Sequence, residues 1–269
     1  MLGSIIGDIV GSIYEFDNTK TKDFELFQPE MERTDDSILC IATADWLLHG
    51  GEVSHYYSRY ALEYPYPMGG YGGMFKAWSS KVARQGIHEP YNSCGNGSAM
   101  RIAPVGWAFE TEREVLEAAK VSASCTHNHP EGIKGAQATA LCIFLARQGH
   151  TASDIRARIE RDFGYDLSMS VKELQRRYSW QGIDGKGDGG ICQDSVPQAI
   201  ICALQAKDFE DAIRNAISIG GDSDTIGCIA GGIAEALYGI PESIKERAWK
   251  YLDETEGRTV RSFIQKYSI

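Results

Sequence analysis

Three glycines spaced four apart, Gly3, Gly7 and Gly11, stand among Ile5, Ile6, Ile9, Val10 and Ile13 in the opening segment MLGSIIGDIVGSIYEF. On a helix they share one face, and a face without side chains lets a second helix approach closely. The segment is apolar but carries Asp8 and Glu15 and has no basic leader region. It therefore reads neither as a signal peptide nor as a membrane span.

After Glu15 the pattern gives way to the polar run FDNTKTKDFELFQ, expected as a surface loop. Thr34 or Asp35 opens a helix that presents Ile38, Leu39, Ala42, Trp46 and Leu47 and ends at Gly50-Gly51. YPYPMGGYGGMF reads as loop, 76–85 as a short helix, and YNSCGNGSAMRIAP as irregular. Further helices are expected near 112–125, 131–148, 152–162, 170–177, 194–206, 208–219, 225–238, 241–252 and 257–267. GIDGKGDGG forms a flexible loop between two of them. Strand alternation is hard to find. The expected fold is all-α: one domain over residues 1–269, an orthogonal bundle of about a dozen helices.

A formal net charge of -10 argues against general binding to nucleic acid or anionic membrane, and suits a site that collects cations. The seven cysteines are odd in number and never in a CxxC spacing, which points to reduced thiols and a cytoplasmic setting.

Two acidic clusters, Thr34-Asp35-Asp36-Ser37 and Asp222-Ser223-Asp224-Thr225, each sit at an expected helix start. Helix capping explains one such cluster, because a cap needs one side-chain acceptor. Two clusters with two carboxylates apiece exceed that need. Clustered aspartates repel unless a cation neutralises them, and hard oxygen ligands select Mg²⁺, Mn²⁺ or Ca²⁺. Gly220 and Gly221 supply a tight turn that aims the second pair inward, and Asp222 can cap and coordinate at once. In SCGNGSAMRIAP, the turn Gly95-Asn96-Gly97-Ser98 can be an ordinary turn or one that offers backbone N–H groups to phosphate. In THNHPEG, His127 and His129 are open to metal binding, capping or loop hydrogen bonding.

Taken in order, IIGDIVGSIYE, TDDS, GNGSAMRIAP, THNHPE, CQDSVPQAI and GGDSDTIG resemble the motifs of the ADP-ribosylglycohydrolase family, of the dinitrogenase reductase-activating glycohydrolase type. The resemblance is collinear and spans almost the whole chain. It implies an all-α fold with a binuclear Mg²⁺ or Mn²⁺ site. Carried over motif by motif, Thr34, Asp35, Asp36, Asp222, Asp224 and Thr225 are the implied metal ligands, with Ser223 facing away. Glu15 corresponds to a glutamate that sits on a mobile loop beside the metals in some members. Gly95, Asn96, Gly97 and Ser98 would cradle the diphosphate, His127 would line the ADP-ribose cleft, and Tyr71 and Gly72 belong to another cleft loop.

The implied activity is metal-dependent hydrolysis of the glycosidic bond between ADP-ribose and an acceptor, releasing ADP-ribose, with two cations on the distal ribose hydroxyls and a water. Glu15 is the expected acid/base and Asp36 its competitor. The partner is an ADP-ribosylated substrate; no membrane is expected, and nucleic acid only as a modified substrate. A non-catalytic ADP-ribose-binding module and a metal-dependent nucleotide phosphoester or pyrophosphate hydrolase are the alternatives.

Overall fold

A computed structural model describes all of residues 1–269. Fifteen α-helices follow one another. The first half holds α1 (Leu2–Gly11), α2 (Asp35–His49), α3 (Val53–Glu63), α4 (Gly73–Gln85), α5 (Gly97–Met100), α6 (Ala103–Ala108) and α7 (Glu112–Ser124). Next come α8 (Pro130–Arg147), α9 (Ala152–Phe163) and α10 (Val171–Arg177), then a two-stranded antiparallel hairpin of β1 (Tyr178–Ser179) and β2 (Gly182–Ile183). The chain closes with α11 (Cys192–Leu204), α12 (Phe209–Ser218), α13 (Ser223–Tyr238), α14 (Glu242–Ala248) and α15 (Glu254–Tyr267). The fold is an all-α bundle, and no helix is long and apolar enough to cross a membrane.

Local chemistry sets many of the boundaries. Capping boxes begin α7 (Thr111 with Glu114), α9 (Thr151 with Asp154), α10 (Ser170 with Glu173) and α15 (Asp253 with Glu256). In each, both ends of the box satisfy N–H groups that the first turn would leave unpaired.

Three helices exceed the expected dozen: α3, α5 and α6. The α3 sequence is rich in tyrosine and buries Tyr57 and Tyr60, so its inward face is not the aliphatic stripe that marks a helix in sequence. Helix α5 is a single turn inside the stretch read as irregular, and α6 begins at the end of that stretch, runs on to Ala108 and carries Pro104 in its first turn.

Helix α13 is the central element. Ile226, Ile229, Ala230 and Ile233 pack into one apolar core group and Cys228 and Ala234 into the other. Its closest partner is α1, and the glycine stripe explains why. A Cβ added to Gly7 would overlap the carbonyl of Gly227, and one on Gly3 would overlap the carbonyl of Gly231. The expected close-packing helix is therefore α13, which brings two glycines of its own. The same contact sets Gly11 against the backbone of Ser223 and Asp224, so the packing of α1 on α13 places Asp8 beside the second acidic cluster.

A candidate active site at the meeting of two acidic helix starts

The N-terminal ends of α2 and α13 meet in one cleft of about 590 Å³. Glu15, Asp35, Asp36, Asp222, Asp224 and Thr225 line it, so the two acidic clusters, far apart in sequence, share one site. Donor oxygens of Glu15, Asp222 and Asp224 lie within 4.8 Å of one another, as do those of Asp8, Asp36 and Asp224. Asp224 belongs to both groups.

Each carboxylate is held differently. Thr34 is the N-cap of α2 and accepts from the Asp36 amide at 3.2 Å. Asp8 lies beneath, fully buried in α1. It accepts the Thr34 hydroxyl at 2.6 Å, the Thr34 amide at 3.0 Å, the Ser37 amide at 3.1 Å and the Ser37 hydroxyl. Four donors occupy it, so Asp8 anchors the start of α2. Asp36 Oδ1 is buried without a partner, and so is Glu15 Oε2. Gly220 and Gly221 adopt φ of 70° and 78°, which makes the tight turn expected before α13. Asp222 then stands at the N-cap position, yet its side chain makes no capping bond. It accepts instead from Asn96 Nδ2 at 2.7 Å, so here the carboxylate faces the cleft and does not also cap the helix. Ser223 lies off the cleft wall, its hydroxyl 3.3 Å from the Gly221 carbonyl.

Crowding shows in the electrostatics. Burial, and then neighbouring carboxylates, push Asp35, Asp36 and Asp224 well above the usual carboxylate range. Glu15 is raised to about 8 by burial, Asp224 and Asp8. Asp222 is raised to about 6, chiefly by burial and against the Asn96 hydrogen bond. Buried carboxylates without a cationic partner are costly as anions, and two of them keep an oxygen with no hydrogen-bond partner. That donor set fits hard divalent cations.

The cleft lining also carries the other polarity. Arg101 is fully buried and is the only lysine or arginine that lines the cleft. Its Nη2 donates to the Ser122 carbonyl at 3.0 Å and to the Thr126 hydroxyl at 2.7 Å. Its guanidinium lies 4.0 Å from the ring centre of Tyr57, while Nε and Nη1 have no partner. His127 sits beside it, with Nδ1 2.7 Å from the Thr126 hydroxyl and its ring edge-on to Tyr91. Burial, and then the Arg101 charge, hold the His127 imidazolium well below its ordinary pKa, so the ring is neutral.

The glycine turn works by space more than by donors. The Gly95 amide already donates to Ser93 Oγ at 3.0 Å and the Asn96 amide to the Gly190 carbonyl at 3.0 Å. A Cβ on Gly97 would stand 3.1 Å from His127 Nε2, so the missing side chain lets the imidazole reach the cleft. Tyr71 and Gly72 line the cleft as well. Two expected residues lie off that lining: Thr34, which is turned to Asp8, and Ser98, whose hydroxyl donates to the Gly132 carbonyl at 2.7 Å. His129 caps α8, accepting from the Glu131 amide at 3.1 Å, which resolves its open reading as a cap.

Sequence reasoning missed Asp8, Arg101 and Trp180. Asp8 had a signal, a lone carboxylate in an apolar helix and next to a glycine of the packing face. Arg101 also had one, since it follows GNGSAM directly. Trp180 had none, because only the fold brings the β1–β2 turn to Glu15.

The sequence matches the model of the family described as ADP-ribosylglycohydrolase across residues 1–267. It is 30% identical to the ADP-ribosylhydrolase ARH3 of Homo sapiens, over 95% of this chain and 89% of that protein. It is 27% identical to the ADP-ribosylarginine hydrolase Tri1 of Pseudomonas putida, over 93% of this chain and 73% of that one. A solved structure titled ADP-ribosylglycohydrolase-related protein complex superposes with a TM-score of 0.71 at 24% identity, covering 98% of this chain and 95% of its own, a likeness of fold. With its acidic helix starts joined in one cleft and the family pattern running from end to end, the chain belongs to the ADP-ribosylglycohydrolase family.

Proposed function

We propose that this protein hydrolyses the glycosidic bond between the distal ribose of ADP-ribose and an acceptor, releasing ADP-ribose. The observation that carries the reading is the mixed lining of one cleft: carboxylates, two of them with an unpaired oxygen, together with a buried guanidinium and a neutral imidazole. A ligand that suits both kinds of lining carries vicinal hydroxyls for the carboxylates with their cations and an anion for the guanidinium. ADP-ribose linked through its distal ribose is such a molecule.

Asp35, Asp36, Asp222, Asp224 and Thr225 would hold a pair of Mg²⁺ or Mn²⁺ ions, with Thr34 Oγ1, 3.4 Å from Asp36 Oδ2, at the edge of the set. Bound there, the ions would supply Lewis-acid polarisation and offset the carboxylate charge. The chain's own residues do the rest. Asn96 fixes the Asp222 rotamer, and Asp8 fixes the start of α2. The Thr126 hydroxyl accepts from Arg101 and pairs with His127 Nδ1, and we assign the ring as the Nε2–H tautomer, with the hydroxyl donating to Nδ1. That tautomer offers a donor to a diphosphate oxygen, and Arg101 supplies the balancing charge.

Glu15 is the acid/base. It stands at the cleft wall against Gly69, where a Cβ would lie 2.6 Å from Oε2, and its raised pKa suits proton exchange near neutral pH. Asp36 lies deeper among the other carboxylates, which suits it to holding charge more than to moving a proton.

A panel of arginine-, serine- and base-linked ADP-ribosyl substrates, with and without Mg²⁺, tests the proposal. Release of free ADP-ribose is expected, and Glu15→Ala should abolish it while ADP-ribose still binds. AMP as product would replace the proposal with pyrophosphate chemistry, and binding without turnover on every linkage would leave a binding module.

A further inference from the structure

Away from the cleft, Glu52, His55 and His88 converge at the start of α3. Donor atoms of the three lie within 4.8 Å of one another. Glu52 is the N-cap residue of α3, His55 lies three residues on, and His88 comes from the connector that leaves α4. Their rings and carboxylate are already arranged. The imidazoles of His55 and His88 meet edge to face with centres 4.6 Å apart. His88 Nδ1 lies 2.7 Å from the hydroxyl of Ser54, which is itself buried, and 3.8 Å from Glu52 Oε2.

This chemistry differs from that of the cleft. Two imidazoles with one carboxylate form a borderline donor set, which favours Zn²⁺ and its transition-metal neighbours over Mg²⁺. The Ser54 hydroxyl at Nδ1 holds the His88 ring in place, as hydrogen-bond partners do for metal-binding imidazoles. The carboxylate of Glu52 and the ring of His55 are solvent-exposed, so an ion can reach them without any opening of the fold. The structural alternative, a hydrogen-bonded surface pair, explains Ser54 and His88 but not the third donor.

We propose that Glu52, His55 and His88 form a Zn²⁺ site with a fourth position open to water. Its position gives it a consequence. His88 lies in the connector that runs on to Tyr91, Ser93 and Gly95, all of which line the cleft. A Zn²⁺ ion here clips that connector to the start of α3 and stiffens one cleft wall from outside.

The test uses the intact protein held in excess Mg²⁺ at pH 7.5, titrated with Zn²⁺ by calorimetry, with melting temperature as the second readout. Wild type is expected to take up one Zn²⁺ that His55→Ala/His88→Ala takes up at least tenfold more weakly, with the Zn²⁺-induced rise in melting temperature lost as well. Ser54→Ala should weaken uptake by a smaller factor, since it loosens the ring without removing a ligand. Equal affinity and stoichiometry in wild type and the double variant would overturn the site, placing any Zn²⁺ in the acidic cleft. All three side chains are off the cleft wall, so ADP-ribose release in Mg²⁺ alone checks that the variants fold.

Discussion

The indole N–H of Trp180 donates to the backbone carbonyl of Glu15 at 2.8 Å, across 165 residues of sequence. Phe16, the next residue, stacks on the same indole with the rings 4° from parallel, although Phe16 is 77% exposed. The β1–β2 turn therefore holds the loop that carries the proposed acid/base. Lys20 adds a second tie, bonded to the carbonyls of Tyr178 and Ile219.

Trp180→Phe keeps an aromatic face for Phe16 and loses the hydrogen bond. Losing one such bond is worth about 0.5–1.5 kcal/mol, so turnover should fall roughly two- to tenfold with little change in KM. Trp180→Ala, which removes the stack as well, should fall further. Steady-state ADP-ribose release measures both. A rise in KM at constant kcat would instead make Trp180 a substrate contact.

Gly7→Ala should be costly for both stability and chemistry. The new methyl would overlap the Gly227 carbonyl, a backbone atom that no rotamer change can move. Overpacking of this kind costs typically about 1–3 kcal/mol, and it pushes α1, with Asp8, away from α13, with Asp224. Urea unfolding and Mg²⁺ affinity should both worsen. The exposed Gly51, whose Cβ would meet nothing within 4 Å, is a poor analogue because its φ of +87° strains any side chain. Gly72→Ala, in open space at an ordinary φ, is the proper control for stability.

How far the site could be read in advance depended on what kind of contact made it. The glycine stripe and the two acidic clusters were legible, because each is a local pattern that exceeds what an ordinary helix face or helix cap needs. That Asp222 would turn to Asn96 and leave the helix uncapped was not, since the choice depends on where the Gly95 turn lands. Likewise the family resemblance implies that the GNG turn cradles the diphosphate, yet two of its amides are spent on Ser93 and Gly190, partners fixed only by the fold. Helix α3 was hidden by its tyrosines, and with it the pairing of His55 with His88.

Arg101 separates a charge that serves the ligand from one that serves the fold. Its Nη2 bonds tie it to Ser122 and Thr126, while Nε and Nη1 remain unpaired. Arg101→Met removes the charge but keeps apolar bulk beside Tyr57, and Arg101→Lys keeps the charge without the planar fork. ADP-ribose affinity by calorimetry should drop at least tenfold in Arg101→Met and less in Arg101→Lys. If both bind ADP-ribose as wild type does, the guanidinium is a structural buttress only.

Metal and pH should act against each other. The cleft carboxyls have folded pKa values raised above those of the unfolded chain, so between the two values the folded state holds the extra protons. Stability then falls as pH rises, because the linkage slope follows the protons bound by the unfolded state minus those bound by the folded one. For Asp222 the loss runs from about 4 to about 6, and for Glu15 it extends to about 8. The chelator-treated protein should therefore melt lower at pH 8 than at pH 5. Divalent ions need the deprotonated carboxylates, so protons compete with them, and saturating Mg²⁺ should raise the melting temperature more at pH 8 than at pH 5. A Mg²⁺-induced rise that is the same at both pH values would show that the ion binds without displacing those protons, and the acidic cleft would lose its claim to be the metal centre.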